Sequence, residues 1–419
     1  MTNPIKKLLI LATVALTSAT CAQTWAQTQD SPYSMLGYGV LNDHVSASQR
    51  QMGGVGYAMR NSRQINVMNP ASYAAIDSMT FLFDIGADVS LYRATEAGGS
   101  GHKTLGGLDY ITLQVPIGRR MGASAGLLPY STVGYSFGST VPNGETQYQG
   151  SGGITEAYVG FAGSPAKGLS LGFNISYLFG NVLNDVYVYD SGSGGTSLYE
   201  TVLKVRDFNL QLGAQYGLDI NRTNRLTLGL SYTLGKDFHG ESYGEAYDVD
   251  NGANNTGIKD GYAKLGGRYT MPHCWGAGLA YEWNRRLFLE ADFTYQPWSR
   301  AKFAGIEGYS APLTFADRYR GAFGAQFLPR QRGNYAQRIT YRLGGYYGRD
   351  YQMVMGNNVN EYGLSFGFGL PTPLRSVLNI GFEYKHRFSS PVTTVTENYF
   401  TFTLGINISE NWFMPSKIR

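Results

Sequence analysis

Asp207-Phe208-Asn209-Leu210-Gln211-Leu212-Gly213-Ala214-Gln215-Tyr216-Gly217-Leu218 alternates polar and apolar residues throughout its length. A pleated strand sends successive side chains to opposite faces, so Phe208, Leu210, Leu212, Ala214, Tyr216 and Leu218 share one face. Asp207, Asn209, Gln211, Gly213 and Gln215 share the other. The same period recurs in Phe81, Phe83, Ile85, Ala87, Val89 and Leu91, in Leu226 to Tyr232, in Leu287 to Tyr295, and in Phe400 to Ile408. A soluble β-sandwich also alternates, but its strands usually run about 5–6 residues and helices or a second sheet cover them. Here the alternating runs reach about 10 residues or more, the length that spans a bilayer, and no helix-period segment is present to cover a sheet. The pattern predicts an all-β chain folded as an antiparallel transmembrane β-barrel.

Composition agrees. The 419 residues include 55 Gly and 32 Tyr, and only 15% are charged, where a soluble domain carries about 25%. A wall that meets lipid outside and water inside needs this mixture. The formal charge of +4 and the lack of a Lys/Arg block leave nucleic-acid binding without a basis. No run of about 18 apolar residues follows the N-terminal leader, so no transmembrane helix is expected.

The leader places the chain. Lys6 and Lys7 precede an apolar stretch from Leu8 to about Leu16, and Ala19, Ala22 and Ala26 follow. That order predicts a secretory signal peptide over residues 1–26, with cleavage after Ala22 or, preferably, after Ala26. Cys21 would suit lipoprotein processing, but Ser18-Ala19-Thr20 is a poor lead-in to it. Cys274 is then the one remaining cysteine, and no internal disulfide is expected.

Short connections at Gly118–Arg120, Gly163–Lys167, Asn221–Asn224, Asn284–Arg286, Pro329–Arg338 and Pro371–Arg375 alternate with long segments near 94–107, 139–152, 184–198, 236–261, 299–314, 348–361 and 388–397. Six short and seven long connections predict about fourteen strands over residues 80–419. Outer-membrane barrels keep short turns in the periplasm and long loops outside, so both termini are expected to be periplasmic. An even count closes the ring without an edge exposed to lipid. Tyr92, Trp275, Trp283, Tyr295, Trp298 and Trp412 are expected in the aromatic girdles.

Residues 27–79 do not alternate. Gln51-Met52-Gly53-Gly54-Val55-Gly56-Tyr57-Ala58 and Asn69-Pro70-Ala71 are small, Gly-rich and weakly charged. A ring of about fourteen strands leaves a channel unless something fills it. This segment is expected to fold into the lumen as a plug.

With a Gly-rich segment ending in Asn-Pro-Ala before the first strand, and with the closing stretches Glu397-Asn398-Tyr399-Phe400 and Asn411-Trp412-Phe413, the chain resembles the FadL/TodX-type (OMPP1) hydrophobic-compound transporters, most of all their Bacteroidetes relatives. The resemblance implies a hatch over 27–79, with Gly53, Gly54, Gly56, Asn69, Pro70 and Ala71 as gating residues. It also implies a kink in the third strand that opens the wall sideways. The family's acidic pair between Gly56 and Asn69 is missing; Arg60, Asn61, Ser62 and Arg63 stand there.

The third strand, Gly122–Phe137, carries Pro129-Tyr130. Proline donates no ladder hydrogen bond, so Pro129 must mark a break, a bulge or a strand end. It is either the end of that strand or a lateral opening for an apolar ligand.

Gly168-Leu169-Ser170-Leu171-Gly172 and Gly363-Leu364-Ser365-Phe366-Gly367 match a hydrolase nucleophile motif, but that motif needs a strand-to-helix turn. Both lie inside alternating strands, and the five histidines lack metal-ligand spacing. No catalytic residue, metal or cofactor is expected. By parity Glu290 and Asp292 face the lumen beside Arg318 and Arg320, with Arg342 beyond. They are expected to form a ladder of cross-strand ion pairs bracing wall and hatch; the alternative is an arginine that binds an anionic headgroup. Lys204 and Arg206 point outward near the extracellular end, toward lipopolysaccharide phosphates. The leading functional expectation is passive transport of small hydrophobic molecules across the bacterial outer membrane. The rival is a secretion or assembly accessory that binds protein partners.

Overall fold

A computed structural model describes residues 29–96, 98–142, 144–192, 195–248, 258–264, 267–372 and 376–411. The expected signal peptide with Cys21, residues 27–28, and Trp412 lie outside the described residues.

Fourteen strands form the wall: β1 Thr80–Glu96, β2 Gly99–Gly118, β3 Met121–Val141, β4 Gly144–Ala166, β5 Leu169–Asp190, β6 Thr196–Asp219, β7 in two pieces, Asn224–Thr233 and Gly240–Asp248, β8 also in two, Ile258–Lys264 and Cys274–Trp283, β9 Leu287–Gln296, β10 Arg318–Phe327, β11 Thr340–Val354, β12 Asn357–Pro371, β13 Val377–Ser390 and β14 Val395–Asn411. Each pairs antiparallel with the next, and β14 returns to β1 from Asn411↔Thr80 to Val395↔Glu96, closing the ring. Closure satisfies the outer-edge donors and acceptors that hydrocarbon would leave bare.

The outward faces match the sequence pattern. Leu230, Leu343 and Leu364 are each more than 60% exposed. In water that display would be costly, but against lipid tails it is the favourable state. Two residues expected in the girdles face inward instead. Tyr92 lies one residue past Leu91 and has the opposite parity; it is buried and donates to Glu397. Trp298 sits in the connection after β9, which folds into the ring, and stacks on Tyr351.

Most of the expected long loops are strand instead. The pairings β1–β2, β3–β4 and β5–β6 run to Glu96↔Gly99, Val141↔Gly144 and Tyr189↔Thr196. Gly, Ser and Tyr in these stretches read as loop, yet they keep the ladder and form tall hairpins. Between the two pieces of β7 and β8 the chain dips inward, where Lys236–Asp237 pairs with Thr270–Met271.

Residues 29–79 lie inside the ring. Three short turns organise them: Pro32–Met35, Ala47–Arg50 and Pro70–Ala75. Ser46 and Gln49 form a reciprocal capping box at the second, and Asn69 caps the third with Pro70 at its first position. Met52, Val55, Ala58, Ala71 and Tyr73 are fully buried against the inward faces of the wall.

Candidate functional site

The lumen is read most easily along β11, whose inward residues Arg342, Tyr346 and Asp350 climb from the short-turn end toward the long-hairpin end. At about 3.3 Å per residue, Arg342 to Asp350 spans about 26 Å of strand.

Near the short-turn end the N-terminal segment is fixed to the wall. Asn69 is fully buried, and its amide nitrogen lies 2.7 Å from Tyr57 O and 3.2 Å from both Ala214 O and Leu230 O. Its Oδ1 accepts from Ala71 N–H at 3.1 Å. Gly213 faces this side chain, and a Cβ there would sit 2.2 Å from Asn69 Oδ1. Gly53 and Gly54 take positive φ, +69° and +76°, which a Cβ would strain. Gly53 N–H donates to Ser365 Oγ at 2.9 Å, and Gly53 O accepts from Arg320 at 3.0 Å.

The inward charges have partners other than those parity suggests. Gly56 and Tyr57 N–H both donate to Asp292 Oδ2, at 2.7 and 3.0 Å, and Ala58 N–H donates to Glu290 Oε1 at 2.6 Å. Two wall carboxyls thus hold three successive amides of the N-terminal segment. The expected ladder from Glu290 and Asp292 to Arg318 and Arg320 does not form. The β9–β10 register sets Asp292 against Ala322 and Glu290 against Gly324, while Arg320 lies opposite Thr294 and Arg318 opposite Gln296, above both carboxyls. Arg318 and Arg320 meet Asp43 instead, at 2.6 and 3.5 Å. Burial disfavours the Asp43 carboxylate, but Arg320 and Arg318 outweigh it and hold that group well below the usual carboxylate range. Above them Arg387 reaches Glu361 at 3.0 Å and Asp350 at 3.2 Å. Among the described residues Arg342 has no carboxylate partner; it donates to Gln51, Gln326 and Asn379.

Pro129 and Tyr130 lie at a seam. The β2–β3 ladder ends at Ile111↔Leu127, and above it neither strand pairs with the other. The β3–β4 register shifts between Pro129 and Ser131. From inside, the N-terminal segment takes up the bare edge of β3. Val40 and Leu41 pair with Thr132 and Ser131, and Asn42 N–H donates to Tyr130 O at 3.0 Å. Ser31 N–H and Ser34 Oγ both donate to Gly134 O. A cavity of about 200 Å³ opens behind the seam, bounded by Leu105, Leu108 and Pro129 on one side and by Arg318, Glu361 and Arg387 on the other.

Above the charges, aromatic residues close the long-hairpin end: Tyr38, Phe238, Tyr269, Trp298, Phe315 and Tyr351 pack as one cluster. Below the N-terminal segment a wider vestibule of about 1180 Å³ opens toward the short turns.

Both nucleophile-like serines are buried in strands. Ser170 hydrogen-bonds Arg60, and Ser365 accepts from Gly53. Neither occupies a strand-to-helix turn. The histidines bond separate neighbours, His44 with Glu156, His239 with Asp207 and His386 with Asn398. The period-two pattern does not mark Asp43, Asp350, Glu361 and Arg387 as a cluster. Asp350 shares the inward parity of Arg342 and was readable. Asp43 sits in irregular chain and carries no pattern.

The sequence matches the family described as BamG over residues 4–419. No curated protein matches the chain. Among solved structures it is similar to the Pseudomonas putida toluene transporter TodX, with 14% identity, a TM-score of 0.63, and coverage of 89% of this chain and 100% of that one. A Pseudomonas aeruginosa FadL homologue gives 15%, 0.62, 88% and 99% in the same order. The monoaromatic hydrocarbon channel CymD gives 16%, 0.59, 87% and 97%. At these identities the likeness is one of fold.

Proposed function

Because the chain belongs to the BamG family, we propose that it is an outer-membrane barrel that works with protein partners in secretion or assembly, its plugged lumen serving as a rigid core. The observation that carries this reading is the content of the lumen. Sites for apolar ligands are lined mostly by hydrophobic side chains and run to about 300–1,000 Å³. Two cavities between the N-terminal segment and the wall, of about 80 and 200 Å³, both touch Asp43 and Arg318, and the larger also touches Arg320, Glu361 and Arg387. A hydrocarbon placed among them would strip water from charges without replacing it. In this orientation the short turns face the periplasm, and Lys204 and Arg206 lie near lipopolysaccharide.

A second reading, passive passage of small hydrophobic molecules, is favoured by the seam above Leu127 and by the shared fold. Here residues 27–79 act as a hatch, with Asn69, Pro70 and Ala71 at its gate and release beside Pro129. The two readings separate in one experiment. The barrel is extracted from native membranes in mild detergent, and its complexes are sized and identified; cells carrying Asn69→Ala and Pro129→Ala are tested for uptake of an aromatic hydrocarbon or a fatty acid. A stoichiometric protein complex with unchanged uptake supports the first reading. A lone barrel whose variants lose uptake overturns it.

A further inference from the structure

The vestibule at the short-turn end has a charge that neither the plug nor the wall requires. Eleven cationic side chains border it against two carboxylates, Asp77 and Glu282. The exposed rim comes from separate turns: Arg119 and Arg120 between β2 and β3, Lys167 between β4 and β5, Arg286 between β8 and β9, and Arg332 between β10 and β11. Arg60 of the N-terminal segment and the buried Arg342 lie deeper.

These charges are largely uncompensated. Among the described residues, Arg225 alone of the eleven lies within 4 Å of a carboxylate; its Nε approaches Asp219 at 3.7 Å and makes no hydrogen bond. Arg60 bonds only the hydroxyls of Ser170 and Ser164. Burial and the charge of Arg225 both push its guanidinium pKa down, as in a site short of an anion.

We propose that this vestibule is the docking site of an acidic polypeptide segment carried by a periplasmic partner. A concave bowl lined by one sign of charge focuses its field on an approaching polyanion. The volume of about 1180 Å³ and the spread of cations over several turns suit a chain of carboxylates rather than a single small ion. A lipid headgroup fits poorly, because Arg342 and Arg60 lie inside the ring and away from the lipid-facing surface. The proposal rests on the protein-partner reading and names the chemistry of the contact.

The test uses the full barrel in uncharged detergent and a fluorescent short peptide alternating Glu and Ser, with a Gln/Ser peptide as control. Arg119, Arg120, Arg286 and Arg332 are replaced together by Ser; all four are exposed, and retention of the fold is checked by heat-modifiable mobility. The acidic peptide is expected to bind saturably, with affinity falling as salt rises. The quadruple variant is expected to bind about tenfold more weakly, and a Lys204→Ser/Arg206→Ser variant at the opposite end is expected to match the parent. Equal binding of the Gln/Ser peptide, unchanged affinity in the quadruple variant, or displacement of the peptide by inorganic phosphate at equal charge would each overturn the proposal. A barrel that extracts with a stoichiometric partner yet ignores the acidic peptide sinks this inference alone. One that binds the peptide but extracts alone sinks the partner reading.

Discussion

Replacing Asp292 with alanine removes the acceptor of two buried amides, Gly56 N–H at 2.7 Å and Tyr57 N–H at 3.0 Å. A hydrogen bond to a charged group contributes about 1.5–3 kcal/mol net, and a donor left buried without an acceptor costs about 1–3 kcal/mol. Glu290 still holds Ala58, and water can enter the space left by the carboxyl group, so the loss falls near the lower end, at about 3 kcal/mol of docking free energy. Asp292→Asn keeps one acceptor oxygen and should lose about half as much. Amide exchange reads this directly, because local opening exposes these N–H groups. Exchange at residues 56–58 should quicken about a hundredfold in the alanine variant, since each 1.4 kcal/mol is tenfold. Exchange in the middle of β12 should stay as it was. If residues 56–58 exchange no faster, or if β12 quickens equally, the carboxyl group is not what holds the segment and the reasoning fails.

Asp43→Asn should loosen the same segment by about 3 kcal/mol, because Arg318 and Arg320 lose a buried partner; unfolding and exchange measurements would record it. The folded-state pKa of Asp43 is depressed, so its contribution is fully present above about pH 4 and is lost only as pH falls through the still lower folded value; the protection of residues 40–43 that this group provides should therefore not change between pH 7 and about 4. Leu364→Arg places a charge on an outward face that is 64% exposed; refolding into vesicles should show a loss of about 2–4 kcal/mol if that face meets mid-bilayer lipid. Gly213→Ala should displace Asn69, whose Oδ1 would lie 2.2 Å from the new Cβ; proteolysis within residues 56–75 should then increase while the barrel keeps its mobility in gels.

The wall was readable because period-two alternation is a property of single strands. Residues 207–218 announce their outward face with no knowledge of what they pair with. Connection counting yielded fourteen strands, since it depends on which stretches are short. The heights of the hairpins were not readable. Residues 184–198 look like loop by composition, and only the partner strand supplies the ladder that holds them extended. The inward side of Glu290 and Asp292 follows from parity, but whom they bond does not. Register sets the arginines at higher levels, and the amides that Glu290 and Asp292 hold come from residues 56–58, more than two hundred positions distant. Pro129 was legible as a break because its ring forbids a donor. What covers the break, Ser31, Ser34 and Val40–Asn42, carries no periodic signal.

The seam at β3 makes two events into one. The residues that occupy the upper lumen also supply the hydrogen bonds that β2 does not give to Gly134, Thr132 and Tyr130. Pulling them inward would leave a row of peptide groups facing hydrocarbon, where each unsatisfied group costs several kcal/mol. Withdrawal of the segment and parting of the wall therefore share a single barrier. A force applied to the N-terminal segment would reach the membrane-facing side of the barrel as a lever reaches a latch.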